Sequence, residues 1–363
     1  MRTTLRAIQA HPALELQLLV TGMHLDRAHG RSLDAIRKEG WRVGATVPWP
    51  QSQTPAASAA STGAALSGIA KALEQLQSDV VLVVGDRVEA FAAAAAGHVG
   101  GRVVAHIHGG DRALGQVDDS LRHAITKLAH VHFPATKASA DRLIKLGEDR
   151  WRVRRVGSPG VDGIREAAAS PREIAAVFPA LKRHQFALLV LHPTATDEAL
   201  ERRTAEMVLR ATGAIGFPRV VIVHPNNDPG GRGIARCWDA HEDDERLVIR
   251  RDIARPLFLG LMRDAAVLAG NSSSGIIEAA SFGTPVVDIG SRQVGRERSA
   301  NVKHVPAQPT AIGAALAAIW RDGRPRRFPA KNVYGGGGAG KRIAAELARL
   351  SVDPRLLRKL IAY

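Results

Sequence analysis

The stretch at residues 267–292, VLAGNSSSGIIEAASFGTPVVDIGSR, constrains the fold more than any other. An apolar run over 265–269 reads as a buried strand, ended by Gly270 and Asn271. Ser272, Ser273, Ser274 and Gly275 follow. Ile276, Ile277, Ala280 and Phe282 then recur at helical spacing until Gly283, Thr284 and Pro285 stop the pattern. Residues 286–289 make a second apolar strand. A strand–loop–helix–strand unit of this kind belongs to a parallel α/β sheet. The loop offers small hydroxyls and backbone N–H groups where a helix begins, which suits a phosphate; it equally suits an ordinary serine-capped helix. Glu278, one turn in on the side of Ser274, is placed to accept hydrogen bonds from a ribose.

The same alternation runs through the whole chain. Before this unit the pattern predicts helices over 3–10, 64–77, 90–96, 119–129 and 138–146, and strands over 14–20, 79–84, 102–107, 131–135 and 152–156. Residues 40–50 read as irregular, and 51–61, rich in Ser, Ala, Thr and Gln, as a mobile surface loop. The Gly- and Pro-rich GSPGVDG at 157–163 is the best boundary, after which strands at 186–191, 219–223 and 246–250 and helices at 196–213 and 310–321 restart the pattern. The expected fold class is therefore α/β, with two doubly wound, Rossmann-like parallel sheets facing one another. The expected domains are 1–160, 161–335 and a helical tail, 336–363, placed to pack back on the first. Ligands of such sheets sit at the carboxyl ends of the strands.

Charge narrows the partners. Lys and Arg number 50 against 35 Asp and Glu, a net +15 that favours anionic ligands. The basic residues are interspersed with acids, with no long Lys/Arg run, so nucleic acid is not expected. Cys237 is the one cysteine, which excludes an intrachain disulfide and fits a reducing compartment. No apolar run approaches the ~20 residues of a membrane span and no signal core is seen, so a cytoplasmic protein without a membrane partner is expected.

Most strand ends carry polar residues: Gly85–Asp86–Arg87, the HIHGGD run from His106 to Asp111, and His-Pro pairs at His192 and His224, the second followed by Asn226. Asp86 and Asp111, with Asp118 and Asp119 nearby, supply carboxylates for acid–base work on a sugar carbon, where one group takes a proton and a neighbour gives one. Asp118 and Asp119 also read as helix-start residues. His106 and His108, two apart on a strand, are predicted to share a face. With Asp111 or His123 they would make the ligand set of a His-x-His metallohydrolase, an alternative chemistry. GGGGAGK at 335–341 has the spacing of a phosphate loop, but Arg342 stands where that loop needs Ser or Thr, so it reads as a flexible turn.

With these residues in view the chain resembles the hydrolysing branch of the UDP-N-acetylglucosamine 2-epimerase family, of sialic-acid-type sugar synthesis. VTGMHL at 20–25, GDR at 85–87, HIHGGD at 106–111, DDSLRHAITKLAH at 118–130, GSPGVD at 157–162, LHPTATD at 191–197, GNSSSGIIE at 270–278, FGTP at 282–285 and IGSRQVGRERSAN at 289–301 carry the likeness. DDSLRHAITKLAH and GNSSSGIIE are the specific ones. The resemblance implies a GT-B-like fold and a homo-oligomer. It places His24, Arg87, His106, His192, Asn226, Ser272, Ser273, Glu278 and Arg292 at the substrate, and Asp86, Asp111 and Asp118 as the acidic groups around the sugar. It implies elimination of UDP to a glycal-like intermediate and hydration to free N-acetylmannosamine, with no metal or redox cofactor required. The same chemistry on a GDP-linked or 2,4-diacetamido sugar nucleotide, or a catalytically silent nucleotide-sugar binder, are the alternatives.

The chain also departs from the family pattern. Some members carry Glu where His108 stands, and many carry Glu where Asp111 stands, leaving open which group removes the C2 proton. The family opens with a buried strand and a Gly-Thr-Arg-type loop, and here the helix over 3–10 comes first. A shortened chain, lacking that strand and one cation, is the expectation.

Overall fold

The computed structural model describes residues 1–25, 32–49, 54–112, 118–225 and 229–362, with the side chains of Met23, Pro55 and Asp118 outside the described set. The chain divides into two compact units: Met1–Pro159 together with Gly337–Tyr363, and Gly160–Gly336.

Among the described residues the first unit holds five parallel strands, β1 (Leu18–Thr21), β2 (Val43–Val47), β3 (Val80–Val84), β4 (Val103–Ile107) and β5 (Val131–Phe133). They form two pieces, β1-β2 and β3-β4-β5. Next to the start of β1, the Gln17 amide donates to Leu76 O at 2.8 Å and its carbonyl accepts from the Ser78 hydroxyl at 2.6 Å, just before β3. Val-rich strands buried on both faces need a layer on each side. Val81, Val83 and Val104 pack with the helices Pro55–Leu76, Val88–Val99 and Asp118–Leu128. Val103, Ala105 and Ile107 pack on the other face with Ile8 of Arg2–Gln9 and Ile343 of Ala339–Ala348. The C-terminal segment thus completes the first unit. Buried Arg152 donates to the carbonyls of Leu356 at 2.8 Å and Arg358 at 2.9 Å, and Lys359 to those of Thr126 and Ala129 at 2.7 Å.

Three expectations are corrected here. Helix Pro55–Leu76 takes in most of the expected loop, because Thr54 Oγ1 accepts from the Ala57 N–H at 3.2 Å, proline leads the first turn, and the Ala-rich run favours helix. Residues 40–50, read as irregular, contain β2. Residues 152–156 make no strand beyond a single bridge between His132 and Val153, since Arg152 closes a 3-10 turn and turns its guanidinium to the C-terminal carbonyls.

Among the described residues the second unit holds six parallel strands, β6 (Phe186–Val190), β7 (Arg219–Val223), β8 (Leu247–Arg250), β9 (Val267–Gly270), β10 (Val286–Ile289) and β11 (Val302–Val305), in the order β11-β10-β9-β6-β7-β8. The order reverses between β6 and β9, and such a switch point opens a crevice at the strand ends. One helix was expected over 276–282. Instead Ser273–Ile277 is a short α-helix and Ala279–Phe282 a 3-10 turn, closed by Gly283 at φ +67°. Strand β11, half-exposed, and helix Arg255–Asp264 carried no clear periodic signal. Among the described residues no helix is long and apolar enough to cross a membrane.

Candidate functional site

In the first unit the polar residues gather where β3 and β4 end. Strand β3 runs into Gly85 and Asp86, and β4 into His108. Arg122, from helix Asp118–Leu128, joins the two ends: its guanidinium donates to Asp86 Oδ2 and, at 3.1 Å, to the carbonyl of His108. His108 stands at φ +65°, in the left-handed region few non-glycine residues occupy. Its Nδ1 lies 2.7 Å from Asp111 Oδ2, and its Nε2 3.0 Å from Ser158 Oγ. Asp111 Oδ1 accepts from the Ser139 hydroxyl at 2.7 Å. Burial pushes the Asp111 carboxyl up, but its close pairing with His108 and the bonds from His108 and Ser139 outweigh it and hold it below its ordinary value. Glycine at 110 is dictated by contact and backbone together. A Cβ there would lie 2.3 Å from Ser139 O, and its φ is +78°.

The expected common face of His106 and His108 is not what forms. Strand β4 ends at Ile107, and the left-handed turn sends His108 toward Asp111 and Ser158. His106 is fully buried, with Nε2 donating to Gly85 O at 2.8 Å and Nδ1 3.4 Å from Thr126 Oγ1. Burial lowers its pKa to about 3, so the ring is neutral. His106 therefore braces the turn after β3 rather than opening to a ligand. His123 sits 3.4 Å from Asp119, and among the described residues no three His, Cys, Asp or Glu groups gather as a metal site.

The remaining residues of this unit are more open. His24, in a 3-10 turn after β1, has Nδ1 2.9 Å from Ser32 Oγ. Arg87 is 60% exposed, with Nε 3.4 Å from Glu89. Asp118 begins its helix, and its side chain lies outside the described residues.

In the second unit the switch point is held by Asn271, at the end of β9. Its Oδ1 accepts the His192 N–H at 2.7 Å and its Nδ2 donates to His192 O at 2.8 Å, fastening the end of β6 to that of β9. The Asn271 carbonyl accepts from Gln293 at 2.9 Å and Arg292 at 3.3 Å, which brings the segment after β10 to the same place. Ser272 Oγ accepts the Ser274 N–H at 3.4 Å and lies 2.9 Å from Ser274 Oγ, and half-buried Ser273 stands beside it. Glu278 is gripped by both terminal nitrogens of Arg255, at 3.0 and 2.9 Å. Burial raises the Glu278 pKa, and Arg255 opposes the rise. Asn226 lies outside the described residues.

Structure thus brings Asp86, His108 and Asp111 into one network, and His192, Ser272 and Arg292 around Asn271. Arg122, Ser139, Ser158 and Arg255 were not singled out from the sequence. Arg122 and Ser158 had a signal, their places inside DDSLRHAITKLAH and GSPGVD.

Two parallel α/β units with polar groups at their strand ends define a two-domain, Rossmann-like protein. Residues 6–348 match the UDP-N-acetylglucosamine 2-epimerase family, and the chain belongs to it. It is 35% identical to the hydrolysing UDP-N,N'-diacetylbacillosamine 2-epimerase of Legionella pneumophila, over 100% of this chain and 96% of that protein. It is 31% identical to the UDP-N-acetylglucosamine 2-epimerase of Neisseria meningitidis, over 93% and 87% of the two chains. In fold it is similar to the crystal structure of the Neisseria meningitidis UDP-GlcNAc 2-epimerase bound to UDP-GlcNAc, with a TM-score of 0.81 at 19% identity, covering 96% of this chain and 95% of that one.

Proposed function

We propose that this enzyme is a hydrolysing 2-epimerase of UDP-linked 2-acetamido sugars, releasing UDP and the free, 2-inverted sugar. The observation that carries the reading is the network of Asp86, His108 and Asp111 organised by Arg122 at the ends of β3 and β4. Such groups suit proton removal from a sugar carbon and proton return to it. The nucleotide is assigned to the second unit. Ser272, Ser273 and Arg292 are suited to the diphosphate, where negative charge develops as UDP leaves. Glu278 is suited to the ribose hydroxyls, once it exchanges bonds with Arg255. His192 and Asn226 complete the second unit's nucleotide set, and Arg87 and His24 are substrate-binding candidates of the first unit. His106 acts through the turn it braces. UDP-GlcNAc is the substrate of the first reading. A UDP-2,4-diacetamido sugar is the second, favoured by the 35% identical relative whose name carries that substrate.

Incubation with each sugar nucleotide, with released UDP and free sugar both quantified, tests the proposal. Stoichiometric UDP and free sugar from one substrate support it and choose between the two. A UDP-sugar epimer formed without UDP release, or binding without turnover, contradicts it.

A further inference from the structure

Asp111 is a poor candidate for the C2 base on geometric grounds. Both of its oxygens are committed, Oδ2 to His108 and Oδ1 to the Ser139 hydroxyl. A carboxylate only accepts, so His108 Nδ1 must carry the proton of their bond. The neutral ring then has its lone pair on Nε2, where the Ser158 hydroxyl must donate. An imidazole whose one nitrogen is anchored on a buried carboxylate and whose other is basic is the arrangement of a positioned proton acceptor. His108 retains 17% side-chain exposure, whereas His106 has none, so of the two it is His108 that can meet a ligand. The backbone agrees. His108 is held at φ +65°, before Gly109 and Gly110 and with Arg122 bonded to its carbonyl, and backbone strain of this kind clusters at functional sites.

We propose that His108 is the catalytic base at C2 and that Asp111 is its positioning residue. The assignment rests on the 2-epimerase reading above. His108 Nε2 exchanges the Ser158 hydroxyl for the C2–H of the sugar. The C2–H electron pair becomes the second bond of C1=C2, the C1–O bond breaks with its own electron pair leaving on the UDP oxygen, and the proton stays on Nε2. The charged and titratable groups near the ring include Asp111, Arg122 with its partner Asp86, His106, and Arg142 on the Gly110 carbonyl.

The test uses the full chain with His108→Asn, which tolerates a left-handed backbone, His108→Glu and Asp111→Asn. Turnover is measured as UDP release and affinity as UDP binding by calorimetry. His108→Asn should lose roughly 10²-fold or more in kcat, the scale of a lost base, with UDP affinity within threefold of wild type. His108→Glu should recover at least tenfold of that loss, which a filler of the same space would not. Asp111→Asn loses the carboxylate that holds His108 Nδ1, so kcat should fall at least tenfold with KM and UDP affinity within threefold of wild type, a split that loss of packing alone would not give. Wild type releasing UDP while His108→Asn keeps kcat within threefold overturns the assignment and leaves the epimerase reading standing. Wild type that releases no UDP overturns both. His108→Glu no better than His108→Asn, or an unchanged kcat in Asp111→Asn, also counts against it.

Discussion

Arg122 makes a site out of two strand ends. It lies 36 residues from Asp86, and Ser158 lies 50 from His108, so neither partnership has a local sequence signal. The residues at strand termini were legible because a parallel sheet presents its carboxyl ends together. The side chains that organise them were not, because they arrive from other elements. Asp86→Asn keeps the shape and removes a carboxylate; turnover should fall roughly 10²-fold with UDP binding retained, and steady-state kinetics beside UDP titration checks it. Ser273→Ala and Arg292→Ala should instead weaken UDP by about 1–3 kcal/mol each, the scale of a charge-assisted bond. If both bind UDP like wild type, the diphosphate assignment is wrong. Gly110→Ala should destabilise the first unit by about 3 kcal/mol or more, since the new Cβ meets a backbone oxygen in a left-handed turn. Urea denaturation measures it.

At the scale of elements, the switch point depends on one amide. Asn271 gives the β6 terminus both an acceptor and a donor while it is 3% exposed. Asn271→Ala leaves the His192 N–H and C=O without those partners, so the second unit should lose about 1–3 kcal/mol. UDP binding should fall with it, because the His192 backbone loses its anchor, while the Asn271 carbonyl that holds Arg292 remains. A second unit as stable as wild type in chemical denaturation would show that the strand ends hold without it. Element type was legible wherever apolar runs were long, as in β6, β7 and β9. It failed where another rule prevailed. Thr54 and alanine propensity extended a helix into the expected loop, and the break at Glu278 after the short Ser273–Ile277 helix divided the expected one. The tail was legible as helical, and its role in the first core rests on Ile343 and the carbonyls that Arg152 gathers, which no local pattern announces.

For the whole molecule, buried histidines set the response to acid. Burial holds His106 down to about 3 and His130 to about 4, against an ordinary 6.5. His130 Nδ1 accepts the Val104 N–H at 3.0 Å and must be unprotonated to do so. Below 6.5 the unfolded chain takes up protons on these rings and the native chain does not. Their contribution is therefore complete above 6.5 and is lost as pH falls from 6.5 toward 4, at about 1.4 kcal/mol per pH unit for each ring. Unfolding free energies at pH 7 and pH 5 should differ accordingly, and His130→Gln should flatten the slope; equal stabilities at the two pH values would contradict it.

The central claim concerns one carbon of one substrate, and proton magnetic resonance of the reaction in D2O observes it directly. UDP-GlcNAc, and separately a UDP-2,4-diacetamido sugar, is incubated with the enzyme. The account predicts UDP together with a free sugar that is inverted at C2 and carries one deuterium there. Free sugar with the original C2 hydrogen and configuration, or an epimerised sugar still joined to UDP, would contradict it.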